Sequence, residues 1–233
     1  MGRRADIGVV IPAGGSGTRV GGGIPKQFLS LRGAPILVRT IALFQRMGEI
    51  GPIVVVVPAP HLLRATRMLR RARLTKVVAI VPGGNDRQAS VLAGLKAFPL
   101  QPRYVLVHDA VRPFVSLQTV AKVIREVRRH GAAIAAKRVT DTIKMEHPRG
   151  AIARTVPREG LWAAQTPQGF RFDILMLAHR AARKLRFRGT DESSLLERIG
   201  IPVRLVESEG GNIKITTPGD LKIAEFQLKR RGG

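Results

Sequence analysis

A chain of 233 residues with a hydrophobic fraction of 44% can bury a core of its own. The absence of cysteine excludes disulfides, thiolate metal sites and thiol catalysis together. No apolar run approaches the ~20 residues of a membrane span, and Arg3 and Arg4 are followed at once by Asp6 and a strand-like run. Neither a membrane anchor nor a signal peptide is expected, and the expected compartment is the cytoplasm. The net charge of +24 suits phosphate-bearing partners. Arg64, Arg67, Arg70, Arg71 and Arg73 share a helix-like stretch with Leu62, Leu63 and Leu69. Arg125, Arg128 and Arg129 share another with Val120, Val123, Ile124 and Val127. Cations so placed belong to solvated faces. With one Trp and one Tyr there is no aromatic platform for bases, so nucleic acid is expected only as a nonspecific partner. A basic nucleic-acid-associated protein is the non-enzyme alternative.

In chain order, Ile7 to Ile11 reads as a buried strand that ends in Pro12-Ala13-Gly14-Gly15-Ser16-Gly17-Thr18-Arg19 and then Pro25-Lys26-Gln27-Phe28. Small residues let backbone N–H groups approach phosphate oxygens, and Arg19 and Lys26 bring two cations to the same turn. The dinucleotide fingerprint fails because Val20 holds its third glycine position. The P-loop fails because neither Gly17 nor Gly22 precedes Lys-Ser/Thr. Helices are predicted at 36–47, 62–72, 88–98, 117–130, 172–184 and 218–229. Strands are predicted at 53–57, 77–81, 104–108, 132–136, 203–207 and 213–216. The alternation implies an α/β fold, a Rossmann-like and mainly parallel sheet with helices on both faces. The loops after Ile11, Val81 and His108 then share the carboxyl edge of that sheet, where ligands bind. From Lys137 to Gln168 the rhythm breaks. Val139–Lys144 and Ala151–Val156 alternate around the turn Glu146–Gly150, which predicts a β-hairpin. Such an arm is barely stable alone and needs its own body or a second copy to pack on. The expectation is one domain over 1–233 with a dimerisation arm at about 137–158.

Asp109, just past a buried strand, is placed to hold Mg²⁺ or another divalent cation beside a polyphosphate, or else to cap a helix or pair with Arg112. Gly83-Gly84-Asn85-Asp86-Arg87 with Ser90 can read a base or can simply cap the next helix. Thr190–Ser194 reads as a helix start with acidic first-turn residues. Lys214 lies in an apolar stretch and needs a partner, for which a phosphate would serve. His108 sits in the strand and reads as core.

Seven motifs together, P-A-G-G-S-G-T-R with P-K-Q-F, G-G-N-D-R-Q-A-S-V, H-D-A-V-R-P, D-T-I-K, A-Q-T-P-Q, T-D-E-S-S and N-I-K-I-T-x-P-x-D, run from Pro12 to Asp220, within a likeness that extends from Val9 to Phe226. In them the chain resembles the family of 2-C-methyl-D-erythritol 4-phosphate cytidylyltransferases of the methylerythritol phosphate isoprenoid pathway. The resemblance implies CMP transfer from CTP to that acceptor, with release of pyrophosphate. It implies that Arg19 and Lys26 stabilise charge on the α-phosphate. Pro12, Ala13, Gly14 and Gly15 would line the CTP site, and Gly83, Asp86, Arg87 and Ser90 would read cytosine and ribose. Asp109 would lie beside the ribose and the divalent ion. Arg112, Thr166 and Lys214 would belong to the acceptor site. Thr142 and Arg158 would reach the acceptor phosphate of the neighbouring subunit of a homodimer, and Arg158 and Lys214 would join the catalytic set. Three features depart from the family pattern: A-G-G where A-A-G is common, Asn85 where an acid is frequent, and the high positive charge. A fused cyclodiphosphate synthase domain, present in some relatives, is not expected. The nearest alternative is ribitol-5-phosphate cytidylyltransferase, followed by a sugar-phosphate nucleotidyltransferase using another base.

Overall fold

The computed structural model describes residues 6–14 and 24–231. The loop glycine Gly15 and the cation Arg19 lie outside the described residues.

Strand β1 (Ile7–Pro12) leads through a 3-10 turn at Lys26–Phe28 to the two short strands β2 (Ser30–Leu31) and β3 (Ala34–Pro35), then to α1 (Ile36–Gln45) and β4 (Ile50–Val57). Next come α2 (Leu62–Arg71), β5 (Val77–Pro82), α3 (Arg87–Lys96), β6 (Tyr104–Val107), α4 (Leu117–His130) and β7 (Ala132–Arg138). The hairpin strands β8 (Ile143–Glu146) and β9 (Ile152–Val156) precede β10 (Trp162–Arg171), α5 (Phe172–Lys184), α6 (Glu192–Glu197), β11 (Arg204–Glu207) and α7 (Pro218–Arg231). The main sheet has seven strands in the order β11-β7-β10-β6-β1-β4-β5. Every pairing in it is parallel except those of β10, which runs antiparallel to both β6 and β7.

The period of two in β1 and β4 sends alternate side chains to opposite faces. Val9, Ile11, Ile53, Val55 and Val57 join α1, α2 and α4 on one side. Val10, Val54 and Val56 join α3, α5 and α6 on the other. Helices on both faces explain why these strands are continuous apolar runs. Helix α3 comes close because Gly94 has no side chain: a Cβ there would lie 2.5 Å from Val10 Cγ1 and 2.8 Å from Val56 Cγ2. Helix α4 starts where Ser116 Oγ accepts from the Thr119 N–H at 3.0 Å and ends at Gly131, whose φ is +87°.

The structure departs from the sequence reading in three places. Ile213–Thr216 is not a strand. The Ile215 N–H donates to Val111 O at 3.0 Å, but no ladder extends from it. The larger difference is β10, a ten-residue strand where the sequence shows only a broken rhythm. Its run Ala163-Ala164-Gln165-Thr166-Pro167-Gln168-Gly169 is neither apolar nor alternating. The strand is specified instead by close packing. A Cβ on Gly169 would sit 2.6 Å from Val127 Cγ2 of α4 and 2.8 Å from Leu106 Cδ2 of β6. The predicted hairpin is present, with Ile143 opposite Val156, but β8 begins later than expected and leaves Thr142 ahead of it.

Candidate active site

The ends of β1, β5 and β6 lie on one edge of the sheet and line a cleft of about 500 Å³. At β1 the Ala13 N–H donates to Val56 O at 2.7 Å, while Ala13 O accepts from the buried Gln27 side chain at 2.7 Å. Gln27 thereby ties the Lys26 turn to the end of the first strand, and Lys26 reaches the cleft wall beside Pro12, Ala13 and Gly14. After β5, Asp86 is the N-cap of α3 and accepts from the Ala89 N–H at 2.7 Å. Asp86, Arg87 and Ser90 line the cleft together with Gly84 and Asn85. Gly83 sits behind them with its N–H on Val57 O.

Asp109, at the end of β6, is the centre of charge. Arg87 Nη1 is 2.7 Å from Oδ1, while Lys214 Nζ and Arg112 Nε lie 3.0 and 3.3 Å from Oδ2. Burial alone would raise this carboxyl's pKa. The charges of Arg87, Lys214 and Arg112 outweigh burial and hold it well below the usual carboxylate range. Arg87 also donates to buried Glu192 at 2.9 Å, so one guanidinium bridges two carboxylates. Burial pushes the Glu192 pKa up, while burial lowers that of Arg112 despite its acidic partner.

Arg87, Asp109 and Lys214 also line a second, smaller cavity of about 240 Å³, shared with Arg112, Thr166 and Gln168. Arg112 Nη1 donates to Asn212 O at 2.8 Å, and Asn212 Nδ2 donates to Thr166 O at 2.9 Å. These bonds hold the non-strand segment carrying Lys214 against β10. His108 is fully buried, as expected of a core residue, and burial pushes its pKa down to about 4. Its ring nitrogens lie 3.0 Å from Arg112 O and 3.0 Å from Thr166 Oγ1.

The expected site residues Pro12, Ala13, Gly14, Lys26, Asp86, Arg87, Ser90, Asp109, Arg112, Thr166 and Lys214 therefore line two adjoining cavities. Thr142 and Arg158 are exposed and line neither, and Arg158 donates to Thr140 O at the base of the hairpin. Residue reasoning missed three supports: Gln27, Glu192 and Asn212. Each stands in a quoted motif, but only the fold shows what it touches.

A divalent ion can be tested against these groups. No cluster of three or more His, Asp or Glu capable of holding a metal occurs among the described residues. Asp109 Oδ1 takes one hydrogen bond, from Arg87, and a carboxylate oxygen can accept two. One lone pair is thus left for an ion. Mg²⁺ is commonly held by one or two carboxylates, water and substrate phosphates. The donor set fits an ion that arrives with a triphosphate, not a cage built by the protein.

A cleft at the carboxyl edge of a mainly parallel sheet, walled by the end of β1, Lys26, Arg87, Asp109 and Lys214, is the arrangement expected of an α/β nucleotidyltransferase. The comparisons narrow the class. Residues 7–230 match the family model of IspD, 2-C-methyl-D-erythritol 4-phosphate cytidylyltransferase, and the chain belongs to that family. It is 45% identical over 228 residues to the protein of that name from Symbiobacterium thermophilum, covering 98% of this chain and 95% of the relative. It is 43% identical over 222 residues to that of Geobacillus kaustophilus, covering 95% and 96%. Its fold is similar to the crystal structure of 4-diphosphocytidyl-2C-methyl-D-erythritol synthase from Anaerococcus prevotii, with a TM-score of 0.84, 30% identity and 96% of each chain covered.

Proposed function

We propose that the two cavities divide the work of the family's reaction, CMP transfer from CTP to 2-C-methyl-D-erythritol 4-phosphate. The larger takes CTP and the smaller takes the acceptor. The observation that carries this reading is the wall they share, Arg87, Asp109 and Lys214. A phosphate oxygen of the acceptor attacks the α-phosphorus of CTP in line. The new P–O bond forms as the bond to the β-phosphate breaks, and pyrophosphate leaves with the electron pair. No protein nucleophile is required, so positioning and electrostatics supply the rate. Lys26 and Arg19 neutralise charge that grows on the α-phosphate. Pro12, Ala13, Gly14 and Gly15 let the triphosphate approach the backbone, and Gly83, Asp86, Arg87 and Ser90 fix base and ribose. Lys214 and Arg112 hold the acceptor beside Asp109. Mg²⁺, when bound at Asp109 and the triphosphate, supplies further neutralisation of phosphate charge.

The chain works as one nucleotidyltransferase domain in the cytoplasm and as a homodimer in which Thr142 and Arg158 of each hairpin complete the acceptor site of the other chain. No helix among the described residues is long and apolar enough to cross a membrane. The test is to incubate pure protein and Mg²⁺ with each nucleoside triphosphate and each candidate acceptor, and to assay pyrophosphate. Release is expected with CTP and 2-C-methyl-D-erythritol 4-phosphate. Much faster turnover of ribitol 5-phosphate would overturn the acceptor assignment.

A further inference from the structure

A groove of about 860 Å³ lies outside the two cavities of the transfer, between α2 and the segment 33–38 that leads into α1. Its apolar lining includes Phe28, Pro35, Val38, Leu63 and Met68. Helix α2 buries only Ala65 and Leu69 in the fold, so the face expected to be solvated carries Leu63 and Met68 among its cations. Arg64, Arg67 and Arg71 line the same groove. Their spacing of three and four residues places them on one side of the helix, over about 10 Å of its length. The Arg64 guanidinium lies over the Phe28 ring, 5.0 Å from its centroid. None of the three has an ion pair among the described residues. The sequence explains why. Between Asp6 and Asp86 the only acidic residue is Glu49, and Arg128 holds it at 2.6 Å. The groove itself has no acidic residue in its lining.

We propose that this groove is a binding site for an amphiphilic phosphate, a phosphate monoester of a single apolar chain. An apolar floor alone would accept any hydrophobic chain, and exposed arginines alone would accept any anion. Here both line one concavity, whose volume is that of a small-molecule site. Guanidinium forks match the oxygens of phosphate, and three cations without a carboxylate suit a dianionic head. The shape selects a single chain over a bilayer. A membrane surface meets apolar groups that protrude, whereas Phe28 in this lining is only 5% accessible. Phe28 also belongs to the 3-10 turn of Lys26, so the occupant touches the segment that carries a cation of the neighbouring cleft.

The probe is n-decyl phosphate, kept below its micelle threshold and titrated calorimetrically into the full chain in the presence of saturating Mg²⁺ and CTP. Those occupy the basic cleft, so binding that remains belongs elsewhere. One equivalent should bind. Hexyl phosphate, four methylenes shorter, should bind at least about tenfold more weakly. Inorganic phosphate, decanol and decyltrimethylammonium should each be weaker still, because each lacks half of the match or reverses its charge. Arg67→Ala with Arg71→Ala should weaken decyl phosphate by about tenfold or more. Leu63→Asp, which sets a carboxylate among the arginines, should do the same. All three positions are exposed, so the urea midpoints of these variants should match the wild type. Methyl spectra of wild-type protein give a variant-free measurement: the Met68 signal should shift with the probe, and those of Met145 and Met176 should not. Equal binding of decanol would reduce the groove to a greasy surface, and equal binding of inorganic phosphate would reduce it to loose charge. Either result overturns the proposal. So would loss of binding when CTP is present, variants that bind as tightly as wild type, a silent Met68, or binding to phosphatidylglycerol vesicles without binding to the monomeric probe.

Discussion

Asp109 is ionised because three cations surround it, and the arrangement also works in reverse. Removing the carboxylate would leave Arg87, Arg112 and Lys214 facing one another across the wall between the cavities. Lys26 has a different task. If, as proposed, its charge acts where negative charge accumulates during transfer, Lys26→Ala should lower kcat by ~10²–10³. Near-normal kcat with a raised KM for CTP, in steady-state kinetics, would make it a binding cation instead. Away from the site, His179 on α5 is buried, with no hydrogen-bond partner on either ring nitrogen among the described residues. Burial pushes its pKa from 6.5 down to about 4. Above pH 6.5 both folded and unfolded forms are neutral at this residue and it contributes no pH dependence. As pH falls below 6.5 the unfolded chain binds the proton first, so stability drops until about pH 4. His179→Leu should therefore narrow the stability gap between pH 7.5 and pH 4.5 by roughly 2–3 kcal/mol in urea unfolding. An unchanged gap would mean that His179 is charged in the fold. At this scale the sequence showed which residues carry charge into the site but not what holds them. Asp109 and Lys214 were visible as an exposed-type residue beside a buried strand and a cation in an apolar stretch. The Arg87–Glu192 pair joins residues 105 positions apart and left no local trace.

The elements of the first half were legible because β1, β4 and β6 are uninterrupted β-branched or apolar runs and α2 and α4 are strongly amphipathic. Strand β10 was not. Its outer half pairs only with β7, and its inner half is buried by small and amide side chains, so neither periodicity appears. The Ile213–Thr216 segment misled in the opposite direction. It has the alternation of a strand, yet its apolar side chains are used by Val111, Phe114 and α7 in a separate small core. Close helix seating gives a direct test of packing. Gly94→Ala would drive a methyl group into Val10 and Val56, and it should destabilise the fold by about 1–3 kcal/mol in chemical denaturation. A neutral result would show that α3 can lift off the sheet. The hairpin β8–β9 is exposed along nearly its whole length, with Ile152 66% and Met145 43% accessible. Such an arm has too little core to stand alone. Mixing Arg158→Ala chains with Lys26→Ala chains under subunit exchange should restore part of the activity, since one site per heterodimer would keep both groups. No restoration, or an active monomer in sedimentation, would show that each chain builds its own site.

For the whole molecule, the charge of +24 is carried largely by surfaces away from the cavities. Arg64, Arg67, Arg70, Arg71 and Arg73 are all exposed, and no ion pair engages them among the described residues. Arg128 is the exception to the solvated-face expectation, bridging Asp6 and Glu49 at 2.7 and 2.6 Å. Duplex DNA should bind weakly, without sequence preference and with an affinity that falls steeply as salt rises, in a titration followed by fluorescence anisotropy. Sequence-dependent binding that survives high salt would point to a dedicated nucleic-acid role. The order of strands also carries a consequence for how the chain is made. Strands β6 and β7, joined by α4, form a parallel βαβ unit whose two strands never touch, because β10 lies between them. A ribosome delivers β6 and β7 first and β10 only after the hairpin. At about 5–20 residues per second, both strands wait seconds with an open edge each, and their own parallel pairing is the nearest wrong solution. Neither native neighbour of β7 exists until β10 and then β11 emerge, so the sheet cannot zip up in the order in which its strands are translated.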